Sequence, residues 1–274
     1  MGDYSYLTFA LPLLLAAGAL AGFAGGLFGI GGGFVVVPAL VVLFPLLGMD
    51  GDMAAHVAVG TSLATIIFTS LRAAQAQAQR GAVDFDVLRS WAPWVVLGTA
   101  LGAFVADGVS GAQLALIFGT GVLGFALYFL LPRRTPKAAF AAMPTGVGRA
   151  GMAGSLGAFS ALLGIGGGTI TTVTMTVCGS PIHRAIGTAS GMGAIIAIPA
   201  TIGFALIGVG EAGLPPGSVG YVNLPAAAAI IVTSVVFAPL GVAAGHKLPP
   251  EILRRVFGLY LVTVGVTMIV KSWN

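Results

Sequence analysis

Two glycine-rich pentapeptides of identical sequence are the part of this chain best suited to binding a ligand. Gly-Ile-Gly-Gly-Gly occupies residues 29–33 and returns at residues 164–168, and an apolar segment begins after each, at Phe34 and at Thr169. A helix that starts there presents unpaired backbone N–H groups and the positive end of its dipole. Glycine lets a ligand reach that backbone without an intervening side chain. The pattern therefore predicts a pocket for a small anion.

Hydroxyl groups near the pentapeptides extend the candidate site. Of the threonines that open the apolar segment after the second pentapeptide, we assign a binding role to Thr169 alone; it stands where the first half has Phe34, so the predicted pocket is asymmetric in polarity. Two matching apolar segments carry further hydroxyls, which either donate to the anion or hydrogen-bond within the helix bundle. The candidate substrate-binding residues are Gly31, Gly32, Gly33, Phe34, Thr61, Ser62, Gly166, Gly167, Gly168, Thr169, Thr188 and Ser190.

Three other side chains are candidates for the transport pathway or its gates. His56 and His183 occupy equivalent places in the two halves. Because histidine titrates near neutral pH, they could gate the pathway or carry a proton, or they could only anchor helix ends. Arg72 precedes the predicted inner boundary at Arg80 by about 12 Å of helix. Its charge therefore either faces a cavity or reaches the surface along the helix.

The composition requires that membrane-spanning elements position these residues. Of 274 residues, 57% are hydrophobic and 7% are charged, whereas a soluble domain has about 25% charged residues. The apolar run from Leu7 lacks the basic start of a signal peptide, so we expect it to remain in the mature protein. The single Cys178 rules out an internal disulfide and a cysteine-only metal cluster, and we expect no metal site. The basic residues are scattered, so a nucleic-acid partner is not expected.

The apolar segments predict helices, since they are longer than the ~10-residue strands of a membrane barrel. Three of them are too short to cross a hydrocarbon core of about 30 Å. We therefore expect each half to begin with a Gly-rich broken helix or re-entrant hairpin. One enters from each side, so the two turns should approach each other near the membrane midplane, where the anion would bind. The segments are 7–28, 34–48 (short), 54–79, 86–106 and 112–131, followed by 150–163 (short), 169–178 (short), 183–208, 221–245 and 252–270.

The two halves are related by an internal duplication. Besides the pentapeptides, the pattern His-x-Ala-x-Gly-Thr occurs at residues 56–61 and again at residues 183–188. Internal repeats of this kind define the units of the fold. We expect a first membrane repeat at residues 1–131, a cytoplasmic basic linker at residues 132–149 and a second membrane repeat at residues 150–274.

The distribution of basic residues orients the chain. With the basic linker placed inside, all 12 Lys and Arg residues except Lys271 fall on the inner side. Both termini are then external, and the two halves enter the membrane from opposite sides. The predicted fold is an all-α polytopic membrane protein with two inverted-topology repeats.

The paired Gly-Ile-Gly-Gly-Gly elements, each followed by His-x-Ala-x-Gly-Thr, resemble the TauE/SafE family of membrane proteins over essentially the whole chain. The resemblance implies export of sulfite or a small organosulfonate. It also implies a multi-pass protein of the plasma (inner) membrane. This expectation agrees with the anion pocket that the pentapeptides predict.

Three functional readings compete. The first is a transporter that exports the anion by alternating access around the paired glycine turns. The second is an anion channel or a facilitator for another small oxyanion such as thiosulfate. The third, a membrane enzyme, is disfavoured because the chain has no metalloprotease, serine-hydrolase or nucleotide-binding motif, and nothing in it demands a cofactor. The expected partners are a small anion and the lipid bilayer, and a homo-oligomer stays open.

Overall fold

The fold is a bundle of α-helices with one two-stranded hairpin. The computed structural model describes residues 5–131 and 143–272. Within these ranges, six helices are long and apolar enough to cross a membrane, so the prediction of an all-α polytopic membrane protein is confirmed. The elements are α1 Ser5–Phe28, α2 Gly33–Leu46, α3 Gly51–Ala78, α4 Phe85–Asp107, α5 Gly111–Leu130, α6 Gly146–Leu163, α7 Gly168–Val177, α8 Ile182–Ile207, β1 Ser218–Val219, β2 Val222–Asn223, α9 Leu224–Gly245 and α10 Pro250–Ser272.

In each half, glycines with positive φ separate the first helix (α1 or α6) from the short helix that follows (α2 or α7). Gly32 (φ 88°) precedes α2, which has 14 residues, and Gly167 (φ 65°) precedes α7, which has 10 residues. An L-residue with a side chain rarely adopts this conformation, whereas glycine does so freely. The sequence of these turns therefore ends one helix and starts the next in a new direction.

Several helix boundaries differ from the sequence prediction by a few residues, and two of these differences have a clear cause. Helix α6 begins at Gly146, four residues before the predicted start at residue 150, and includes Arg149. The prediction followed the apolar run at residues 150–163, and a helix can extend beyond its apolar part. The apolar segment at residues 221–245 includes β2, and α9 starts only at Leu224, where the Asn223 side chain caps it. Residues 132–142 of the predicted linker lie outside the described ranges, and the division into two repeats stays a prediction.

Helices α3 and α8 cross at the centre of the bundle in opposite directions. A Cβ atom built on Gly60, near the start of α3, would lie 3.1 Å from Cβ of Phe204, near the end of α8. Further along α3, Ser70 contacts Gly193, and beyond the end of α3 the carbonyl group of Ala82 contacts Gly187 near the start of α8. These two helices occupy corresponding places in the two halves.

The outer helices pack in two corresponding pairs through small residues. Gly22 and Gly26 of α1 lie directly against the backbone of α9, and Gly98 and Gly102 of α4 lie against the backbone of α6. Small residues at such spacing allow close helix contact in membranes. Exchanging the two halves converts the α1–α9 pair into the α6–α4 pair. This correspondence, with the antiparallel α3 and α8, supports the inverted duplication, which stays a prediction.

Candidate functional site

The two glycine turns contact each other through their backbones. A Cβ atom on Gly33 would overlap the carbonyl oxygen of Gly164, and one on Gly168 would overlap the carbonyl oxygen of Gly29. Gly33 and Gly168 are the last residues of their pentapeptides, so the contact is reciprocal. Only glycine at both positions allows this approach. Of the other predicted turn glycines, Gly31 and Gly166 both face Ile66 of α3, whereas Gly32 faces Ala21 of α1 and Gly167 faces Ile196 of α8.

Both turns are buried, and neither new helix is capped by a side chain. Residues 29–34 and 163–169 are buried throughout. The capping positions of α2 and α7 are Gly32 and Gly167, which have no side chain that could accept from the first N–H groups of the helix. The first N–H groups of a helix have no partner within the helix itself. Each turn therefore directs the positive end of a helix dipole into the protein interior.

Four hydroxyl groups around the turns are buried without a hydrogen-bond partner. They belong to Ser70, Ser160, Thr169 and Thr172. The Oγ of Ser70 lies 2.8 Å from the position of a Cβ on Gly31, and the Oγ of Ser160 lies 2.9 Å from that on Gly167. An unsatisfied buried hydroxyl costs about 1–3 kcal/mol. Such a cluster is expected where water or a ligand completes the hydrogen bonding.

None of the buried polar side chains of the described residues is Lys, Arg, Asp or Glu. They are Ser, Thr, Asn and Gln side chains together with His56. An anion at the turns would therefore be bound by helix dipoles and hydroxyl donors, as it is in other anion sites that are lined by backbone groups.

The sequence identified only one of the four unpartnered hydroxyls, that of Thr169. Thr172 lies one helical turn further along α7 and on the same face, so its helical spacing from Thr169 could have identified it. Thr171, by contrast, donates to the carbonyl oxygen of Gly167 at 3.0 Å. Nothing in the local sequence distinguishes Ser70 and Ser160 from other serines in apolar helices, because their importance follows from contacts with distant glycines.

The other predicted contacts at the turns have partners within the protein. Ser62 donates to the carbonyl oxygen of Gly164 at 3.2 Å and so connects α3 to the second turn. Ser190 donates to the carbonyl oxygen of Ile186 in its own helix. The ring of Phe34 packs edge-on against Phe118 and Phe125 in the core. These geometries favour structural roles, so we do not retain Ser62, Ser190 or the ring of Phe34 as anion contacts.

Thr61 and Thr188 make equivalent hydrogen bonds in the two halves. Thr61 accepts from the backbone N–H of Asn223 at 2.9 Å, and Thr188 accepts from the backbone N–H of Asp84 at 2.8 Å. Asn223 and Asp84 are the capping residues of α9 and α4. The threonine of His-x-Ala-x-Gly-Thr therefore fixes the start of a neighbouring helix. This geometry favours a structural role over the anion-binding role that the sequence suggested.

Replacing Thr188 by valine is expected to lower stability without changing anion affinity. The substitution keeps the shape of the side chain but leaves the N–H of Asp84 without its acceptor, a loss of about 1–3 kcal/mol. Thermal unfolding of the purified protein in detergent measures the first effect, and transport at several anion concentrations measures the second. A weaker anion affinity with unchanged stability would return Thr188 to the site.

His56 and His183 lie at opposite ends of the antiparallel α3–α8 pair. His56 donates from Nε2 to the carbonyl oxygen of Ala106 at 3.3 Å, and its ring lies 5.0 Å from that of Tyr221. It lines a cavity of about 350 Å³ together with Asp50, Asp107 and Glu211. This end of the molecule is acidic, and neither histidine contacts the glycine turns through a hydrogen bond that the structure describes.

His183 belongs to a second polar cluster at the other end of the pair. Its ring stacks on that of His246 at 4.9 Å, and Nε2 of His246 hydrogen-bonds to Oε1 of Gln77 at 3.0 Å. Beside them, Arg184 and Asp84 form an ion pair of 2.8 Å. The cluster joins the end of α3 and the start of α4 to α8 and α9, so it closes this end of the bundle.

Acidification is expected to weaken this cluster. Loss of hydration, and then the charges of His183 and Arg80, lower the pKa of His246 from its ordinary value of 6.5. The folded protein disfavours protonated His246. The full contribution of this residue to stability is therefore present above pH 6.5 and decreases as the pH falls below 6.5. Thermal midpoints between about pH 8 and pH 5 should show this decrease. His246→Gln should flatten the profile; an unchanged slope would exclude His246 as its source.

Arg72 lies on the surface of the bundle. Its side chain is exposed and donates to Oε1 of Gln75 at 2.6 Å on the same helix. Of the two interpretations that the sequence allowed, this position favours a side chain that extends along the helix surface. We therefore do not retain Arg72 as a pathway residue.

Comparison with known proteins places this geometry in a described family. The family model named Sulfite exporter TauE/SafE matches residues 14–268. A probable membrane transporter protein of Haemophilus influenzae is 34% identical, over 96% of this chain and 99% of its own length. One of Methanocaldococcus jannaschii is 27% identical, over 94% and 95%. One of Xylella fastidiosa is 29% identical, over 96% and 97%. No solved structure was found to match the chain.

Proposed function

The chain belongs to the sulfite exporter TauE/SafE family, and we propose that it exports sulfite or a small organosulfonate across the plasma membrane by alternating access. The family consists of membrane transporters and not of enzymes. The chain is accordingly an integral multi-pass membrane transporter. The identity of the anion, the direction of transport and the binding site are the proposed parts.

One observation carries the assignment of the binding site: four buried hydroxyls without partners surround two glycine turns that contact each other. The hydroxyls of Thr169 and Thr172 lie at the start of α7, and those of Ser70 and Ser160 lie beside Gly31 and Gly167. The oxygens of a sulfite or sulfonate group are hydrogen-bond acceptors, so such an anion complements a set of hydrogen-bond donors. The helix dipoles add attraction for negative charge.

The arrangement of the two halves supports alternating access. An anion at the turns would lie between corresponding elements of the two halves, which is where transporters with broken helices bind their substrates. Both turns are buried, so an anion bound between them would be closed off from both ends. A closed site favours a carrier over a channel with a fixed filter, because a channel needs a continuous path.

The charges at the two ends support the proposed orientation. Arg80, Arg184 and Lys247 lie at the end of the bundle that holds the histidine stack, and the acidic cavity lies at the other end. By the positive-inside tendency, the histidine end is cytoplasmic. Residues 1–131 and 150–274 would then be inverted repeats with both termini external.

Counterflow in proteoliposomes tests the proposed function. Vesicles preloaded with unlabelled sulfite should take up labelled sulfite faster than empty vesicles, because a carrier exchanges bound anions. Vesicles without protein provide the background. Equal uptake with and without preload, accompanied by steady anion conductance, would support the channel. Absence of flux for sulfite and for small sulfonates, in vesicles that contain folded protein, would overturn the proposed substrate class.

A further inference from the structure

We propose that Ile66 sets the upper size limit of the transported anion. This inference rests on the proposed function, because it assumes that the anion binds at the glycine turns. Ile66 lies on α3 and is fully buried. With Ile66 in this position, the site should prefer compact anions of the size of sulfite to sulfonates with extended carbon chains.

Ile66 contacts glycines of both turns. Its Cγ2 lies 2.7 Å from the position that a Cβ would take on Gly31 and 2.7 Å from that on Gly166. Its Cδ1 lies 3.0 Å from the corresponding position on Gly33. A single side chain therefore occupies the space where the two pentapeptides approach each other.

The opposite side of the same space lacks a side chain. Gly193 of α8 faces the second turn, and its Cβ position lies 3.3 Å from the carbonyl oxygen of Gly166. It also lies directly beside the unpartnered hydroxyl of Ser70. Next to Gly166, Ile66 therefore presents an apolar, branched side chain, whereas Gly193 and Ser70 present a bare backbone and a hydroxyl group. An anion would place its oxygens toward Ser70 and meet Ile66 with the rest of its volume.

This geometry predicts discrimination by length and not by charge. The alkanesulfonates from methane- to propanesulfonate share one head group and one charge, and they differ only in added methylene groups. An apolar pocket discriminates about 10–200-fold for one methylene group. With Ile66 in place, transport should decrease along this series. With a smaller side chain there, the decrease should begin at a longer chain.

The experiment compares Ile66→Ala and Ile66→Val with the unchanged protein, using sulfite and the three alkanesulfonates in counterflow. Relative to sulfite, propanesulfonate transport should rise about tenfold or more in Ile66→Ala and by a smaller factor in Ile66→Val. Ile67→Ala is the matched control, since it removes the same atoms from the next, partly exposed position of α3. It should leave the ratio unchanged.

The outcomes separate this inference from the proposed function. If the unchanged protein transports none of these anions, the proposed function fails. If it transports sulfite, but Ile66→Val leaves the propanesulfonate-to-sulfite ratio unchanged or Ile67→Ala alters it equally, Ile66 does not set the size limit. Ile66→Val removes a single methyl group, so it keeps the test valid if Ile66→Ala does not fold.

Discussion

Adding one methyl group at Gly168 is expected to abolish anion transport. In Gly168→Ala the new Cβ would overlap the carbonyl oxygen of Gly29 and approach Cα of Ile30, so the two turns would have to separate. The φ angle of Gly168 is not positive, and the loss would therefore come from the lost contact and not from backbone strain. Gly33→Ala makes the equivalent change from the other turn, against Gly164 and Ile165. Initial rates of sulfite counterflow measure both effects.

Gly124→Ala is the matched control for the two turn variants. Gly124 is an exposed residue inside α5, and a Cβ there meets no other atom within 4 Å. This variant should transport normally and gain up to about 1 kcal/mol from its improved helix propensity. Size-exclusion profiles in detergent show whether the turn variants fold. Normal transport by folded Gly168→Ala and folded Gly33→Ala would mean that close contact of the turns is not needed for transport.

Replacing Thr169 by valine is expected to change stability and anion affinity in opposite directions. Valine has the shape of threonine but needs no hydrogen-bond partner, so removing this buried unsatisfied hydroxyl should stabilise the anion-free protein by about 1–3 kcal/mol. A hydrogen bond to a charged group contributes about 1.5–3 kcal/mol, so its loss should weaken anion binding roughly ten- to a hundredfold. Thermal midpoints with and without sulfite, and the anion concentration for half-maximal transport, measure the two effects.

Thr171→Val provides the comparison on the same helix. Thr171 is also buried, but its hydroxyl already donates to the carbonyl oxygen of Gly167. This variant should therefore show neither the gain in stability nor the loss of affinity. If Thr169→Val lowers stability and leaves the affinity unchanged, the hydroxyl of Thr169 serves the packing of α7 and not the anion.

The sequence predicts the membrane fold and the glycine turns because both depend on local features. Long apolar segments can only become helices in a bilayer, since every backbone group needs an internal partner there. A run of three consecutive glycines between two apolar segments favours a break in the helix, because glycine readily adopts positive φ. The meeting of the turns at residues 29–33 and 164–168 was suggested by the duplication alone. The structure supplies the contact of Gly33 with Gly164 and that of Gly168 with Gly29.

The remaining site residues could not be predicted, because their roles depend on distant partners. Thr61 and Thr188 look like ligand-binding hydroxyls in a linear sequence, yet each accepts from the cap of a helix far along the chain. Ser70 lies in α3 without any motif around it, and only the approach of Gly31 and Gly193 gives it a place at the site. Arg72 is the opposite case. Its distance from the predicted membrane boundary suggested a pathway residue, but that distance does not reveal which side of the helix faces outward.

Locating a bound anion tests the central claim most directly. Selenite has the shape and charge of sulfite, and selenium can be located in a crystal by its anomalous scattering. We expect one peak between the turns, within hydrogen-bonding distance of the hydroxyl of Thr169 and near Gly31 and Gly167, and we expect Thr169→Val to weaken it. A peak only among the basic residues around Arg80 and Arg184, with none at the turns, would contradict the proposed site.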